Sequence, residues 1–241
     1  MKIEVVATAQ QVNEELVRNK TVVVIDVLRA TSVITTALFN GAATVIPVAS
    51  ILEAESLFAD FESGTALKGG ERGGIIIEGF HLGNSPFSYQ PQTVAGKTVI
   101  LTTTNGTLAI RNSHEAKELY AVSFLNVAVA VQQILQSVNG LVIVCAGTNG
   151  FFSLDDALCA GMIINELMHF TAVETDDLGL MALSFYREGE QDLLKKLQQC
   201  KHVNYLQSIG FEKDVRYCLQ ANVVPVLPIL CEDGGLRLVN T

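Results

Sequence analysis

Residues 21–37, TVVVIDVLRATSVITTA, set the fold class and mark the first candidate site. Val22–Ile25 form an apolar, β-branched run, which reads as a buried strand. Asp26 and Arg29 stand where that strand should end, and Thr31, Ser32, Thr35 and Thr36 follow as a helical pattern begins. A carboxylate, a guanidinium and several hydroxyls thus meet at a strand-to-helix junction. The free N–H groups and positive dipole end of a helix favour anions there. The same letters also allow a structural reading, in which Asp26 caps the helix and Arg29 pairs with it.

Outward from this junction, short β-branched runs alternate with longer helical patterns. Strands are predicted at Lys2–Ala7, Val22–Ile25, Thr44–Val48, Ile75–Ile77, Thr98–Leu101, Glu118–Ala121 and Leu141–Cys145. Helices are predicted over Gln10–Arg18, Ser32–Asn40, Ile51–Phe58, Gly106–Asn112 and Asn126–Ser137, and after Asp155 over Asp156–His169, Gly189–Lys201 and Lys213–Gln220. The alternation argues for an α/β fold, a mainly parallel or mixed sheet with helices on both faces. The run Val223–Leu230 carries Pro225 and Pro228, which suit an edge or irregular terminal segment and not a central strand. Gly64–Ser88 is the most irregular, glycine-dense stretch and reads as an active-site loop or a lobe boundary. The expected organisation is one globular domain over 1–241, or two closely packed lobes dividing near 64–88 or after 155.

Composition narrows the function. The chain has 241 residues, 49% hydrophobic and 17% charged, with a formal net charge of −9. That charge argues against nucleic acid and against an anionic membrane surface as partners. An anionic substrate would need a local cluster of cations, helix ends or metal. The five cysteines, at 145, 159, 200, 218 and 231, show no CxxC or Cys/His ligand spacing and read as free thiols in a reducing cytoplasm. MKIEVVATAQQ has no apolar signal-peptide core, and no run approaches transmembrane length. The expectation is a cytoplasmic protein, with exposed apolar surface leaving room for a homo-oligomer.

Several motifs add chemistry. KGGERGG (68–74) frames Glu71 and Arg72 with two Gly-Gly pairs, which permit close backbone approach to a ligand; it is not a P-loop, because Ile75 and Ile76 follow. HLGNSP (81–86) offers an amide and a hydroxyl in a turn, and TTTNGT (102–107) offers spare donors at a helix start. TNG recurs at 148–150, so three strands end in junctions rich in neutral donors, and in a parallel sheet such ends face one crevice. SLDDA (153–157) starts a helix in which one Asp serves as cap and the other could bind metal. His114 and His169 have no motif around them, whereas His202 could reach a crevice. Aspartyl-phosphate enzymes need Asp-x-Asp after the strand, and here Leu28 stands two after Asp26. No Gly-x-Ser-x-Gly elbow is present either. Metal-assisted attack by water is then the economical chemistry.

Taken together, DVLRAT (26–31), GGER (69–72), GFHLGNSP (79–86), TTTNGT (102–107), CAGTNG (145–150), SLDDALCAG (153–161) and GFEKDVRYC (210–218) resemble the 2-phosphosulfolactate phosphatase family. The resemblance spans nearly the whole chain. It implies magnesium-dependent hydrolysis of (R)-2-phospho-3-sulfolactate to (R)-3-sulfolactate and phosphate, in coenzyme M biosynthesis or other sulfolactate production, on an α/β fold of the family's own. The matching positions are Asp26, Arg29, Thr31, Gly70, Glu71, Arg72, Asn84, Ser85, Thr103, Thr104, Asn105, Gly106, Gly147, Asp156, His202 and Asp214. Two departures stand out: Asp155–Asp156 where the family is associated with Glu-Asp, and Val203 after His202 where glycine is expected.

The chemistry expected at those positions is specific. Asp26, Glu71 and Asp156 would hold one Mg²⁺ through oxygen and water. Arg29 and Arg72 would clamp the phosphoryl group. Asn84–Ser85 and the turn Thr103, Thr104, Asn105 and Gly106 would take the sulfonate or carboxylate, with Thr31, Ser32, Gly147 and His202 completing the substrate-binding set. Asp26 reads as a metal ligand before it reads as a nucleophile. The alternatives are a non-catalytic binder of an anionic metabolite, and a phosphatase for another phosphorylated 2-hydroxy acid.

Overall fold

In the computed structural model, which describes residues 1–137 and 139–238, the apolar runs become the strands of a single sheet. They are β1 (Lys2–Val6), β2 (Thr21–Ile25), β3 (Thr44–Pro47), β4 (Ala66–Arg72), β5 (Ile75–Ile76), β6 (Thr98–Thr102), β7 (Glu118–Val122), β8 (Leu141–Cys145), β9 (Glu174–Thr175), β10 (Pro228–Leu230) and β11 (Leu236–Leu238), in the order β5-β4-β6-β3-β11-β10-β7-β2-β8-β1-β9. The helices are α1 (Glu14–Val17), α2 (Ala30–Phe39), α3 (Ile51–Ala59), α4 (Pro91–Val94), α5 (Gly106–Asn112), α6 (Val127–Ile134), α7 (Leu154–Met168), α8 (Asp177–Arg187), α9 (Leu193–Lys196), α10 (Lys201–Ser208) and α11 (Glu212–Cys218). The predicted α/β class holds, with parallel pairing predominant. No helix among the described residues is long and apolar enough to cross a membrane.

β2 shows why the alternation gives this architecture. It is buried along its whole length and flanked by parallel β7 and β8. Side chains alternate across a strand, so Val22 and Val24 enter an apolar layer with Ile34 and Leu38 of α2, while Val23 and Ile25 enter the opposite layer with Leu158 and Ile163 of α7. Each buried valine contributes roughly 1.5–3 kcal/mol, and neither face can be turned to water.

Several expectations need correction. β4 was expected as loop because of its glycines, yet they are what the strand requires. A Cβ at Gly69 would lie 2.4 Å from Tyr89 Oη, and one at Gly70 would lie 2.1 Å from Thr102 O. The proline-bearing segment supplies an internal strand, not an edge. Pro228 is the first residue of β10, which pairs with β11 and, through Ile229, with Tyr120 of β7; β11 in turn meets β3. This antiparallel hairpin joins two parallel blocks and reverses their relative direction, so the crevice does not arise from one run of parallel strands. The pattern over Gln10–Arg18 yields only the short α1. That over Gly189–Lys201 breaks at Cys200, whose extended backbone (ψ 123°) separates α9 from α10. α8 escaped the sequence reading, although Asp176 caps it by accepting from Gly179 N–H.

Candidate active site

The junction after β2 is built from local hydrogen bonds. Ala30 N–H donates to Asp26 Oδ1 at 3.0 Å, while Thr31 Oγ1 receives Asp26 N–H and donates to Asp26 O. Ser32 Oγ donates to Val27 O at 2.8 Å. Asp26 therefore does cap α2, and Thr31 and Ser32 are fully buried ties of that turn, not residues that face a ligand. Asp26 Oδ2 takes no hydrogen bond from the described residues, and Asp26 lines a small cleft of about 60 Å³.

Arg29 does not pair with Asp26. Its Nη1 donates to Asp214 Oδ2 at 2.6 Å, its Nη2 donates to Gly74 O at 2.8 Å, and its guanidinium stacks 4.0 Å from the Phe211 ring centroid. Ser85 Oγ holds the other Asp214 oxygen at 2.9 Å. This buried cluster binds the β4–β5 hairpin and α11 to the start of α2. Arg29, expected to clamp the phosphoryl group, lines the cleft with part of its fork already committed to Asp214 and Gly74.

Neighbouring residues on a strand point to opposite faces, and this separates Glu71 from Arg72. Glu71 lines the cleft. Its Oε2 accepts from Gly74 N–H at 2.7 Å, and its Oε1 accepts from Thr104 N–H and Oγ1 at 2.9 and 3.0 Å. Arg72 bonds Glu71 O, Thr102 O and Thr102 Oγ1, and is not among the residues around the cleft. The predicted second clamp is thus a strand brace.

The two TNG turns meet: Asn149 N–H donates to Asn105 Oδ1 at 3.0 Å. Thr104, Asn105, Thr148 and Asn149 all line the cleft. Thr103 lies behind it, exchanging hydrogen bonds with Thr107 across the first turn of α5. Gly106 is the packing hinge. A Cβ there would stand 2.5 Å from Ala30 Cβ and 2.6 Å from Asp26 Oδ2. Gly106→Ala is expected to push Asp26 aside and lower kcat/KM about 10²-fold, since catalytic groups tolerate little displacement. Steady-state kinetics beside a thermal melt checks this: loss of activity with an unchanged rate per folded molecule would point to misfolding alone.

Asp156 also lies behind the cleft. Its Oδ1 accepts from Val27 N–H at 2.9 Å and its Oδ2 from Gly147 N–H at 3.0 Å, so it ties the ends of β2 and β8 together. Gly147 sits at φ +73° with Phe151 O against it, a conformation that excludes a side chain. Burial, reinforced by the neighbouring Asp155 and Asp26 charges, pushes the Asp156 carboxyl well above the usual range. Asp26, Glu71 and Asp156 therefore do not converge as three ligands. Among the described residues no group of three His, Cys, Asp or Glu side chains could hold a metal ion.

Asn84 is the clearest polar vacancy. It is 6% exposed and lines the cleft, and its Oδ1 has no hydrogen-bond partner among the described residues. Unpaired buried amides are costly, and a ligand contact would relieve this one. Asp26 is perturbed as well: burial raises its pKa from 3.8 to about 6, with Asp155 and Glu71 adding to the rise and the Ala30 N–H and His202 opposing it. Of the expected site residues, the fold brings together Asp26, Arg29, Glu71, Asn84, Thr104, Asn105 and His202. Thr31, Ser32, Arg72, Ser85, Thr103, Gly106, Gly147 and Asp156 form the frame behind or beside them. The sequence reading left Thr148, Asn149 and Tyr205 out of its site, although the repeated TNG carried a usable signal for the first two. Val203, the departure after His202, is a buried core residue.

Residues 6–233 match the family model described as 2-phosphosulpholactate phosphatase. Among curated relatives, the chain is 43% identical over 237 residues to a protein of Caldanaerobacter subterraneus subsp. tengcongensis named "Probable 2-phosphosulfolactate phosphatase", covering 98% of each chain. Proteins with the same name match from Clostridium acetobutylicum (43% identical; 95% of this chain, 97% of the relative) and Clostridium botulinum strain Alaska E43 (36%; 99% and 100%).

Proposed function

The chain belongs to the 2-phosphosulpholactate phosphatase family, and from that premise we propose that it is a phosphoric monoester hydrolase converting (R)-2-phospho-3-sulfolactate to (R)-3-sulfolactate and phosphate in the Asp26 cleft. The observation that carries this reading is the cleft itself. An ionisable carboxylate oxygen free of protein partners, an arginine, an unpartnered buried amide and two Thr-Asn turns face one small space. A simple anion binder would have no use for carboxylates at its centre.

The electrostatics favour a metal as well. The substrate carries phosphate, sulfonate and carboxylate, yet the cleft presents Asp26 and Glu71 against Arg29, which already faces Asp214. Mg²⁺ commonly binds through one or two carboxylates, water and substrate phosphate, so the absence of a three-carboxylate set does not conflict with it. Asp26 Oδ2 is the carboxylate oxygen available for that ion, which when bound would supply countercharge to the phosphoryl oxygens. Asn84 and Asn105 would orient the sulfonate and carboxylate by hydrogen bonding, with Glu71 fixing the Thr104 turn beside them.

Phosphate release from 2-phosphosulfolactate and a panel of other phosphorylated 2-hydroxy acids tests the proposal. Release is expected to be fastest from 2-phosphosulfolactate, to stop in EDTA and to return with added Mg²⁺. Binding without release from any member of the panel would favour the anionic-metabolite binder. Preference for another member would make the protein a phosphatase of different specificity.

A further inference from the structure

We propose that His202 protonates the leaving-group oxygen of the substrate, and that Asp155 and Thr148 hold its imidazole in the orientation this requires. The inference rests on the phosphatase reading above and extends it to the second half of the reaction.

His202 is the second residue of α10, and its side chain is only 17% exposed. Its Nδ1 lies 3.1 Å from Thr148 Oγ1 and 3.8 Å from Asp155 Oδ2. Asp155 is itself fixed: 1% exposed in the first turn of α7, it accepts from Ser153 Oγ and lies 3.8 Å from Cys200 Sγ. Ser153 Oγ also sits 3.1 Å from Thr148 Oγ1, which closes the network on the Nδ1 side. Nε2 makes no hydrogen bond with the described residues, and the ring lines the cleft. A histidine whose Nδ1 is hydrogen-bonded to Thr148 beside a buried carboxylate, with Nε2 left without a protein partner among the described residues, is arranged to move a proton in the cleft.

The charges acting on this ring are Asp155 from the first turn of α7, Asp26 from the end of β2 and Arg29 from the start of α2; Glu71 of β4 lines the same cleft, and Lys201 precedes His202 on its own helix. Burial lowers the imidazole pKa, but the nearby Asp155 carboxylate and the charge of Asp26 outweigh burial and the opposing Arg29, so the net shift is upward. His202⁺ also holds Asp155 low against the burial that would raise it. Asp26 is a poorer donor: with its pKa raised to about 6 it is mostly ionised by neutral pH, and its Oδ1 is committed to Ala30 N–H.

The chemistry needs such a donor, because a secondary alcohol leaves phosphorus as a strongly basic alkoxide. In the proposed step the oxygen of water bonds to phosphorus and the ester P–O bond breaks, its electron pair staying on the substrate oxygen. Nε2–H gives its proton to that oxygen, yielding the hydroxyl of sulfolactate. One proton of the attacking water remains on the phosphate product; the other passes to solvent, from which His202 is reprotonated.

The test is the pH dependence of kcat on 2-phosphosulfolactate for wild type, His202→Gln and Asp155→Asn. Wild type is expected to lose kcat on the alkaline side as His202 deprotonates. His202→Gln should lower kcat about 10²–10⁴-fold with little change in KM, and should abolish that alkaline limb. Asp155→Asn should move the limb to lower pH; if that variant melts below the assay temperature, Asp155→Ser is used, with the same direction of shift expected. Active wild type together with a His202→Gln variant that keeps its kcat, or that changes only KM, overturns the inference alone. Wild type that releases no phosphate overturns the phosphatase reading and this inference with it.

Discussion

Asp26→Asn is expected to lower kcat/KM roughly 10³-fold while raising the melting temperature, an outcome that separates function from stability at one atom. The activity loss follows from removing the one cleft-lining carboxylate oxygen that has no protein partner among the described residues; loss of a single charge-stabilising group typically costs about 10²–10³. The stability gain follows from linkage. Burial raises the Asp26 pKa from 3.8 to about 6, so between these values the folded chain binds more protons than the unfolded one, and stability falls as pH rises through that window. Above it the full penalty remains, at most about 3 kcal/mol for a shift of this size. Asparagine keeps the acceptor for Ala30 N–H but carries no charge to desolvate. Melts in metal-free buffer at pH 7.5 should therefore show a gain of a few degrees, shrinking towards pH 4. A lower melting temperature at pH 7.5 would mean that the ionised carboxylate stabilises the fold and that burial is not what perturbs it.

The second large effect is expected at the Arg29–Asp214 pair. Both side chains are almost entirely buried, at 1% and 5% exposure, so removing one strands the other's charge in the interior. Asp214→Leu should cost about 3–5 kcal/mol, measured by urea unfolding, and abolish activity by loosening both the β4–β5 hairpin and α11. Arg29→Lys keeps the charge but cannot span Asp214, Gly74 O and the Phe211 face together. It should lose less stability than Asp214→Leu and still lose most of its kcat/KM. The double variant Arg29→Met/Asp214→Leu should recover much of the stability lost by Asp214→Leu, because no bare charge remains, without recovering activity. A double variant no more stable than the single one would show that the pair's hydrogen bonds, and not the stranded charge, set the cost.

Much of this molecule was legible in its sequence, for reasons that individual residues make plain. Val22–Ile25 announced a strand buried on both faces because no polar residue interrupts the run. Asp26 and the hydroxyls after it announced a capped helix start. Residues 66–72 hid a strand because Gly69 and Gly70 mimic a loop. Their role depends on Tyr89 and Thr102 pressing against the backbone, a contact that only the tertiary fold creates. Pro228 misled in the same way, since a strand's first residue can dispense with its N–H in the middle of a sheet as well as at its edge. Within the site, residue types were readable but partners were not. Arg29 finds Asp214, 185 residues away, instead of the neighbouring Asp26. Asp156 spends both oxygens on the backbone of Val27 and Gly147, a use that looks identical to metal ligation in one dimension. The alternation of β4 turns Glu71 in and Arg72 aside, which could be foreseen only once that stretch was known to be a strand.

The most direct test of the account is a crystal structure of the protein soaked with sulfolactate and phosphate in the presence of Mg²⁺. Both anions are expected in the Asp26 cleft, with Asn84 Oδ1 or its amide nitrogen in contact with the ligand and the phosphate within reach of Asp26 and His202 Nε2. Density in another depression, such as the one flanked by Lys195 and Lys196, with the Asp26 cleft left open, would contradict it.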